Sequence, residues 1–393
     1  NGAKITTGTG NVNVNATSSA TGVSDALGIQ IRTTGAVTTG GGNISITGTS
    51  RGASGNFNTG IGFSSGSLIA GGSGSVTLTA TGGSVGVNSY GISGANITTS
   101  GGAVNISSTS TNNTDIDTGS GAINTAGGNV TVTANSYGGS GTETINAGSG
   151  TVTLRNRTAG TLIDIGGTSA DVTTGASRKL GVSSAELARI TAANVVIGRN
   201  DATGSGNITL NATNLGALGN TGANLSVLSG NDITISSAIT KSTGTDATLT
   251  LNAVNGINVN AAVGGTVAGA GKLNVAMTAN GNTALAADSK GLVVLSSINT
   301  NGGSATLTGK SKSGAGGSSN SAIRFGGASI IAETMTITGN QTGSNAATDT
   351  NGIYLSGTNS FQSKSGISTL TGTSNAIGNF GGGIFAADGS STS

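Results

Sequence analysis

One short phrase recurs along this chain, and its spacing constrains the fold more than any other feature. It reads GNVNVNAT at 10–17, GNISITG at 42–48, GSVTLTAT at 74–81, GAVNISST at 102–109, GGNVTVTAN at 127–135, GTVTLRN at 150–156 and GNITLNAT at 206–213. In nearly every copy a Gly or Asn precedes apolar residues that alternate with hydroxyls or amides. Successive side chains of a strand point to opposite faces, so the alternation predicts a strand with one apolar face. The residues expected to fill the core are Val12, Val14, Ile44, Ile46, Val76, Leu78, Val104, Ile106, Val130, Val132, Val152, Leu154, Ile208, Leu210, Ile233, Ile235, Leu249, Leu251, Ile257, Val259, Leu273 and Val275. The Thr, Ser and Asn between them are expected to face out. Gly and Asn ahead of the strands are expected to turn corners, because both tolerate a left-handed backbone.

Hairpin turns would place matching strands close together in sequence. Here Val12 and Ile44 are 32 residues apart, Ile44 and Val76 again 32, Val76 and Val104 28, Val104 and Val130 26, and Val130 and Val152 22. Ile233 to Ile257 and Leu249 to Leu273 are each 24, Ile323 to Ile353 is 30 and Ile353 to Ile384 is 31. Self-similarity at this period marks a repeat architecture. Two further strings sit between the phrases. One is GIQI at 28–31, GIGF at 60–63, GISG at 91–94, DIDT at 115–118, GIYL at 352–355 and GIFA at 383–386; the other is AVTT at 36–39, SLIA at 67–70, NITT at 96–99 and AINT at 122–125. One turn therefore holds three strands and three corners, and the expected fold is an all-β parallel β-helix. About fourteen turns at the strand spacing of about 4.8 Å give a coil on the order of 65–75 Å long.

Composition fits this fold. The 393 residues include 73 Gly and no Pro, Cys, His or Trp, and only 8% are charged. Pro cannot donate to the next turn of a parallel coil. Disorder is disfavoured, because 34% of residues are apolar and they alternate regularly. The expected organisation is one continuous β-helix over 1–393, with wide turns at 1–160, an irregular section at 161–205, compact turns at 206–310 and wide turns again at 311–393. In the irregular section Ser183 and Glu186 have capping-box spacing, which predicts a short helical insertion near 184–190 that packs Leu187 and Ile190 onto the coil.

Little of the sequence carries chemistry. Without His there is no conventional nucleophilic triad, and without His or Cys no zinc site of the usual kind. No catalytic residue, cofactor or metal is assigned. The nearest carboxylate pair is Asp115 and Asp117, expected at the exposed edge of a turn. Gly-rich calcium solenoids need a regular Asp that GGSGSVTLT at 71–79 and GGNVTVTAN lack. Net charge is +2, and Arg155/Arg157, Arg178/Lys179 and Lys310/Lys312 are expected to be solvated, so no nucleic-acid partner is expected. Thr-x-Thr pairs at 77/79, 131/133, 151/153, 248/250, 306/308 and 336/338 would form ranks like those of ice-binding solenoids, but Asn13/Asn15, Ser45/Thr47 and Asn105/Ser107 would break such a plane. The sequons at Asn15, Asn43, Asn96, Asn105, Asn129, Asn207 and Asn211 are expected from composition alone, Asn at a corner before a β-Thr. No apolar run is long enough to be a transmembrane segment.

The strings GNVTVTAN, GNITLNAT and NDITISSAITKSTGTDATLTLNAVNGINVNAAV resemble the repeats of filamentous-haemagglutinin-like bacterial exoproteins and large repetitive surface adhesins. LGVSSAELARITAANVVIGRNDATGSGNITL at 180–210 is similar to a recurring linker of that family. The resemblance implies a right-handed coil, secreted to the bacterial cell surface or beyond it. The expected function is a structural or adhesive shaft that is not an enzyme. The alternative is a polysaccharide-binding or polysaccharide-degrading β-helix. The chain begins at Asn1 rather than Met, as a processed chain or a section of a longer one would. Expected partners are the continuation of the same chain or another copy docked end to end, with host or matrix glycans as possible ligands.

Overall fold

In the computed structural model three short parallel strands and the corners between them make each turn of the chain. The structure describes residues 3–18, 25–32, 34–84, 88–110, 114–117, 119–138, 141–173, 178–216, 218, 223–265, 267–280, 291–312, 321–342, 350–375, 382–387 and 391–392. The chain forms two compact units. One comprises Asn1–Asp164, Thr168–Gly198 and Leu218–Ala223, the other Ile165–Gly167, Arg199–Ala217 and Asn224–Ser393.

In the first unit the recurrent phrase forms the strands Val12–Thr17, Ile44–Thr49, Val76–Thr81, Val104–Thr109, Val130–Thr133 and Thr151–Arg155, each parallel to the next. Register is strict: Val12, Ile44, Val76, Val104, Val130 and Val152 form one column, and Ile46, Leu78, Ile106, Val132 and Leu154 another. A second sheet runs through Ile29–Arg32, Ile61–Ser64, Ile92–Ser93 and Ile116–Asp117, and a third through Ala36–Thr39, Ser67–Ala70, Ile97–Thr99 and Ala122–Asn124. The second unit repeats the arrangement. Its longest pairing joins Ser304–Lys312 to Thr334–Thr342 in register over the whole strand.

Of the residues expected in the core, all but Val14 are at most 6% exposed. Val14 is half-buried, since it lines an open cleft with Ile5 and Ile31. One register differs from the spacing argument: Leu249 pairs with Val275, and Leu273 with Ala247. A shift of two residues leaves every side chain on its face, so alternation alone does not resolve it.

The corners show what the Gly and Asn residues do. In the pairs Gly101–Gly102 and Gly127–Gly128 the first glycine has a positive φ, 103° and 101°. The second does not; it lies against the turn before it. A Cβ on Gly102 would collide with the carbonyl of Gly74, and one on Gly128 with that of Gly102. At three corners a buried hydroxyl three residues earlier donates to the carbonyl of the second glycine itself: Thr39 Oγ1 to Gly42 O (2.5 Å), Thr99 to Gly102 (2.6 Å) and Thr125 to Gly128 (2.5 Å). The Asn that follows accepts from a backbone N–H of the next turn. Asn43 Oδ1 takes Ser75 N (2.8 Å), Asn129 takes Thr151 N (2.9 Å) and Asn224 takes Thr248 N (2.8 Å).

The helix is shorter than expected. It spans Ser184–Ala188 with the Ser183–Glu186 capping box in place. Arg189 ends it, and Ile190 begins the strand Ile190–Thr191, which pairs with Ile145 and Asn146. Strand pairing outcompetes a further helical turn there. Leu187 and Ile190 are both 3% exposed.

Leu78→Ala, inside the first unit, should cost about 2–5 kcal/mol, while Thr79→Ala on the outward face should stay within ~0.5 kcal/mol. Urea unfolding midpoints of the two variants check this.

Candidate functional site

The inner corner of the first unit is polar, and it collects the buried chemistry of that unit. Asn58 is fully buried. Its Oδ1 accepts from Ala26 N (3.1 Å) in the preceding turn, its Nδ2 donates to Ser54 O (3.0 Å), and its backbone N donates to Ser89 Oγ (3.2 Å) in the following turn. Ser110 Oγ donates to Ser89 O (2.7 Å). Asp115 comes next, with Oδ1 accepting from Ser110 N (2.6 Å) and Oδ2 from Asn135 N (2.7 Å), while its own N donates to Ser136 Oγ (2.7 Å). Asn135 Oδ1 then accepts from Arg157 N (3.0 Å) and Thr158 N (2.9 Å). A hydrogen-bonded strip thus crosses successive turns. Burying polar groups unpaired is costly, and here these groups are answered from within their own corner or from a neighbouring turn.

Asp115 is therefore not at an exposed edge; it is 0% exposed and serves as the central acceptor of the strip. Asp117 lies on the strand Ile116–Asp117, half-buried, and its Oδ1 accepts from Gly119 N (2.9 Å). Only Asp117 of the two has access to solvent. Burial pushes the Asp115 carboxyl up, against its two N–H donors and the guanidinium groups of Arg157 and Arg178. Burial also pushes Tyr90 up to about 12, with help from the Asp117 carboxylate.

The turn between Val152 and its partner Val195 is lengthened, and its extra residues bring more charge to this corner. Asp171 Oδ1 accepts from Gly181 N (2.8 Å), and its carboxylate also accepts from Tyr137 N. Glu186 Oε2 accepts from the N and Oγ of Ser183, both at 2.7 Å. Glu143, 3% exposed, is ion-paired with Arg189. The cations are not simply solvated. Lys179 Nζ meets Asp164 Oδ2 at 2.6 Å, Arg178 donates to Ser110 O (2.9 Å) and Thr173 O (3.0 Å), and Arg155 Nε donates to Thr133 Oγ1 (2.9 Å). Burial, then the charges of Glu186 and Asp115, raise Asp171 to about 8 against the pull of the Gly181 N–H; burial likewise raises Glu186. Asp171 is thus easier to protonate than an ordinary carboxyl, and Asp115 is closed off from solvent. The arrangement is a clamp for the added segment, in which Glu143 is buried and Asp164, Asp171 and Glu186 are partly exposed. Sequence reasoning missed Asp171, Glu143 and Asn58.

Among the described residues no group of three or more acidic side chains is placed to hold a metal ion, and no helix is long and apolar enough to cross a membrane. Thr77, Asn105, Thr131 and Thr153 share one outward file, which Asn105 interrupts. In the second unit Thr306, Thr336 and Thr369 align, as do Thr308, Thr338 and Thr371. Of the sequons, Asn15 and Asn105 are exposed on outward faces, whereas Asn43, Asn129 and Asn207 bond the next turn and Asn211 accepts from Ser236 Oγ. Asn96 Nδ2 donates to Gly66 O.

Asp171 sets a pH dependence with a definite sign. Unfolded, its carboxyl ionises near ~4; folded, at about 8. Between those values the unfolded chain releases a proton that the folded chain keeps, so stability present below ~4 is progressively lost as pH rises to about 8. Asp171→Asn should flatten this decline and melt higher than the unsubstituted protein at pH 8, with little difference at pH 4. Parallel melting curves across pH test it.

No protein-family model, no curated protein and no solved structure matches this chain.

Proposed function

We propose that this chain is a structural and adhesive section of a secreted bacterial surface protein, a β-helical shaft without catalytic activity. The observation that carries this reading is register. Strand follows strand at matching positions turn after turn, to the extent that Ser304–Lys312 and Thr334–Thr342 pair along their full length. Each added turn contributes another set of backbone hydrogen bonds, each worth about 0.5–1.5 kcal/mol net, and another layer of buried aliphatic side chains. The resemblance of its repeat strings to filamentous-haemagglutinin-like exoproteins and large adhesins supports the same reading.

An apolar cleft of about 300 Å³ opens at the first described turn, lined by Ile5, Val14, Ile29, Ile31, Val37 and Ile46. Its apolar lining suits the aliphatic interior of another coil of the same kind, supplied by the same chain or by a second copy. Host or matrix glycans are the proposed ligands of the finished surface. A second reading, a polysaccharide-degrading β-helix, is favoured by one observation, two part-exposed carboxyls, Asp171 and Glu186, close enough for the charge of Glu186 to raise Asp171.

An antibody raised against the purified chain should label intact, unpermeabilised cells of the organism that makes it. Labelling only after permeabilisation would overturn the surface assignment. Release of reducing sugar from a polysaccharide panel, abolished in Asp171→Asn, would replace the shaft with the enzyme.

A further inference from the structure

Three residues at one corner of successive turns share a left-handed backbone: Asp25 (φ 62°), Phe57 (φ 60°) and Asn88 (φ 57°). Each lies four residues before a strand residue of the register Ile29, Ile61 and Ile92, so they occupy one position of the repeat. Asp and Asn enter this conformation readily, whereas a bulky aromatic there is an outlier. Phe57 breaks a second rule as well, since it is 48% exposed. It fills no part of the core, yet the corner holds it in a conformation that Asn would adopt with less strain.

The exposure is not that of a loose loop. Asn58, the next residue, is fully buried and bonded to both neighbouring turns through Ala26 and Ser89. Its side chain is wedged between Gly52 and Gly83, where a Cβ on either glycine would collide with it. Asp25 N also donates to Asn56 O (2.9 Å), tying the tip to the turn before it. The ring stands on a fixed base, so a ligand that covers it orders little.

We propose that Phe57 is the stacking platform of a glycan-binding site, with Asp25 and Asn88 as its polar flanks. A pyranose ring offers a patch of C–H groups on one face and hydroxyls around its rim. The aromatic ring suits the first, and polar groups about one turn away on either side, ~4.8 Å, suit the second. Asp25 is exposed and accepts from hydroxyls. Asn88 Oδ1 is engaged by Tyr90 Oη (2.9 Å), and its amide N–H groups donate. A protein partner would need a wider apolar patch, and the other large apolar residues exposed among those described, such as Ile5, Ile69 and Val172, lie outside this corner. A nucleic acid would need clustered cations, whereas the corner carries Asp25 and only Arg51 on the same loop. The inference deepens the adhesive reading by naming where a sugar is held.

The full chain is applied to an immobilised array of neutral and acidic oligosaccharides, and the best-retained sugar is titrated calorimetrically. Phe57→Asn should weaken binding by about tenfold or more. The same variant should melt higher than the unsubstituted protein, because Asn suits the left-handed corner; a merely structural Phe57 would not separate the two readouts in this way. Phe57→Trp should retain binding, and Asn88→Ala should weaken it. Retention of no sugar by the unsubstituted chain would overturn the site, as would unchanged affinity in Phe57→Asn. Either failure leaves the shaft reading to the cell-labelling result, which does not depend on Phe57.

Discussion

Each turn of this protein lies one strand spacing, about 4.8 Å, from the next, and that distance decides which residues are admissible at each position. Where two backbones meet at a corner there is no room for a Cβ, hence the glycines that abut Gly74 and Gly102. Where a strand ends, the last carbonyls and the first N–H groups need partners from the adjacent turn. Asn43 and Asn129 supply such a bond across turns, while Thr39, Thr99 and Thr125 close the corner within its own turn. Pro is missing for the same reason, since a residue without an N–H breaks a ladder that both neighbours use.

A narrow coil has a second constraint, because its corners bring backbone into the interior. An entirely aliphatic interior would leave the corner N–H and C=O groups without water or partners. The strip from Asn58 through Asp115 to Asn135 answers those groups from inside. It places a carboxylate where solvent is absent, and Asp115 is raised accordingly. The extra residues of the lengthened turn extend this solution outward. Asp171 and Glu186 hold that segment by accepting its N–H groups and remain easier to protonate than ordinary carboxyls.

The strands and their inward residues were legible in the sequence because period two and a spacing of 22 to 32 residues are both directly visible in it. Ile44, Leu78, Val130 and Ile233 needed no more than alternation. What alternation cannot supply is register in steps of two, which is why Leu249 is paired with Val275. The helix start was legible from Ser183 and Glu186, but its end was not, because the pairing of Ile190 with Ile145 is a tertiary fact. Asp115 was conspicuous and its surroundings were not. Two carboxylates written two apart look like one face of a strand, and here the strand begins only at Ile116. Asn58 and Asp171 carried no pattern of their own, since Asn58 is fixed partly by Ala26 and Ser89 of other turns and Asp171 by Gly181, ten residues away in an irregular segment.

A fold whose stability is repeated turn by turn depends little on any one corner. That frees corner positions to take residues the fold does not favour, provided the neighbouring turns hold the backbone in place. Asp25, Phe57 and Asn88 illustrate the limit of this freedom: the backbone conformation is common to all three, while the side chain varies between a carboxylate, an aromatic ring and an amide. The inward columns have no such latitude, because a change there is felt by the turns on both sides. Recognition on a protein of this kind is therefore expected at corners and outward files, where side chains change between turns while the backbone repeats. A residue that violates its own corner's preference, as Phe57 does, is the position at which ligand contact and fold stability are most directly opposed.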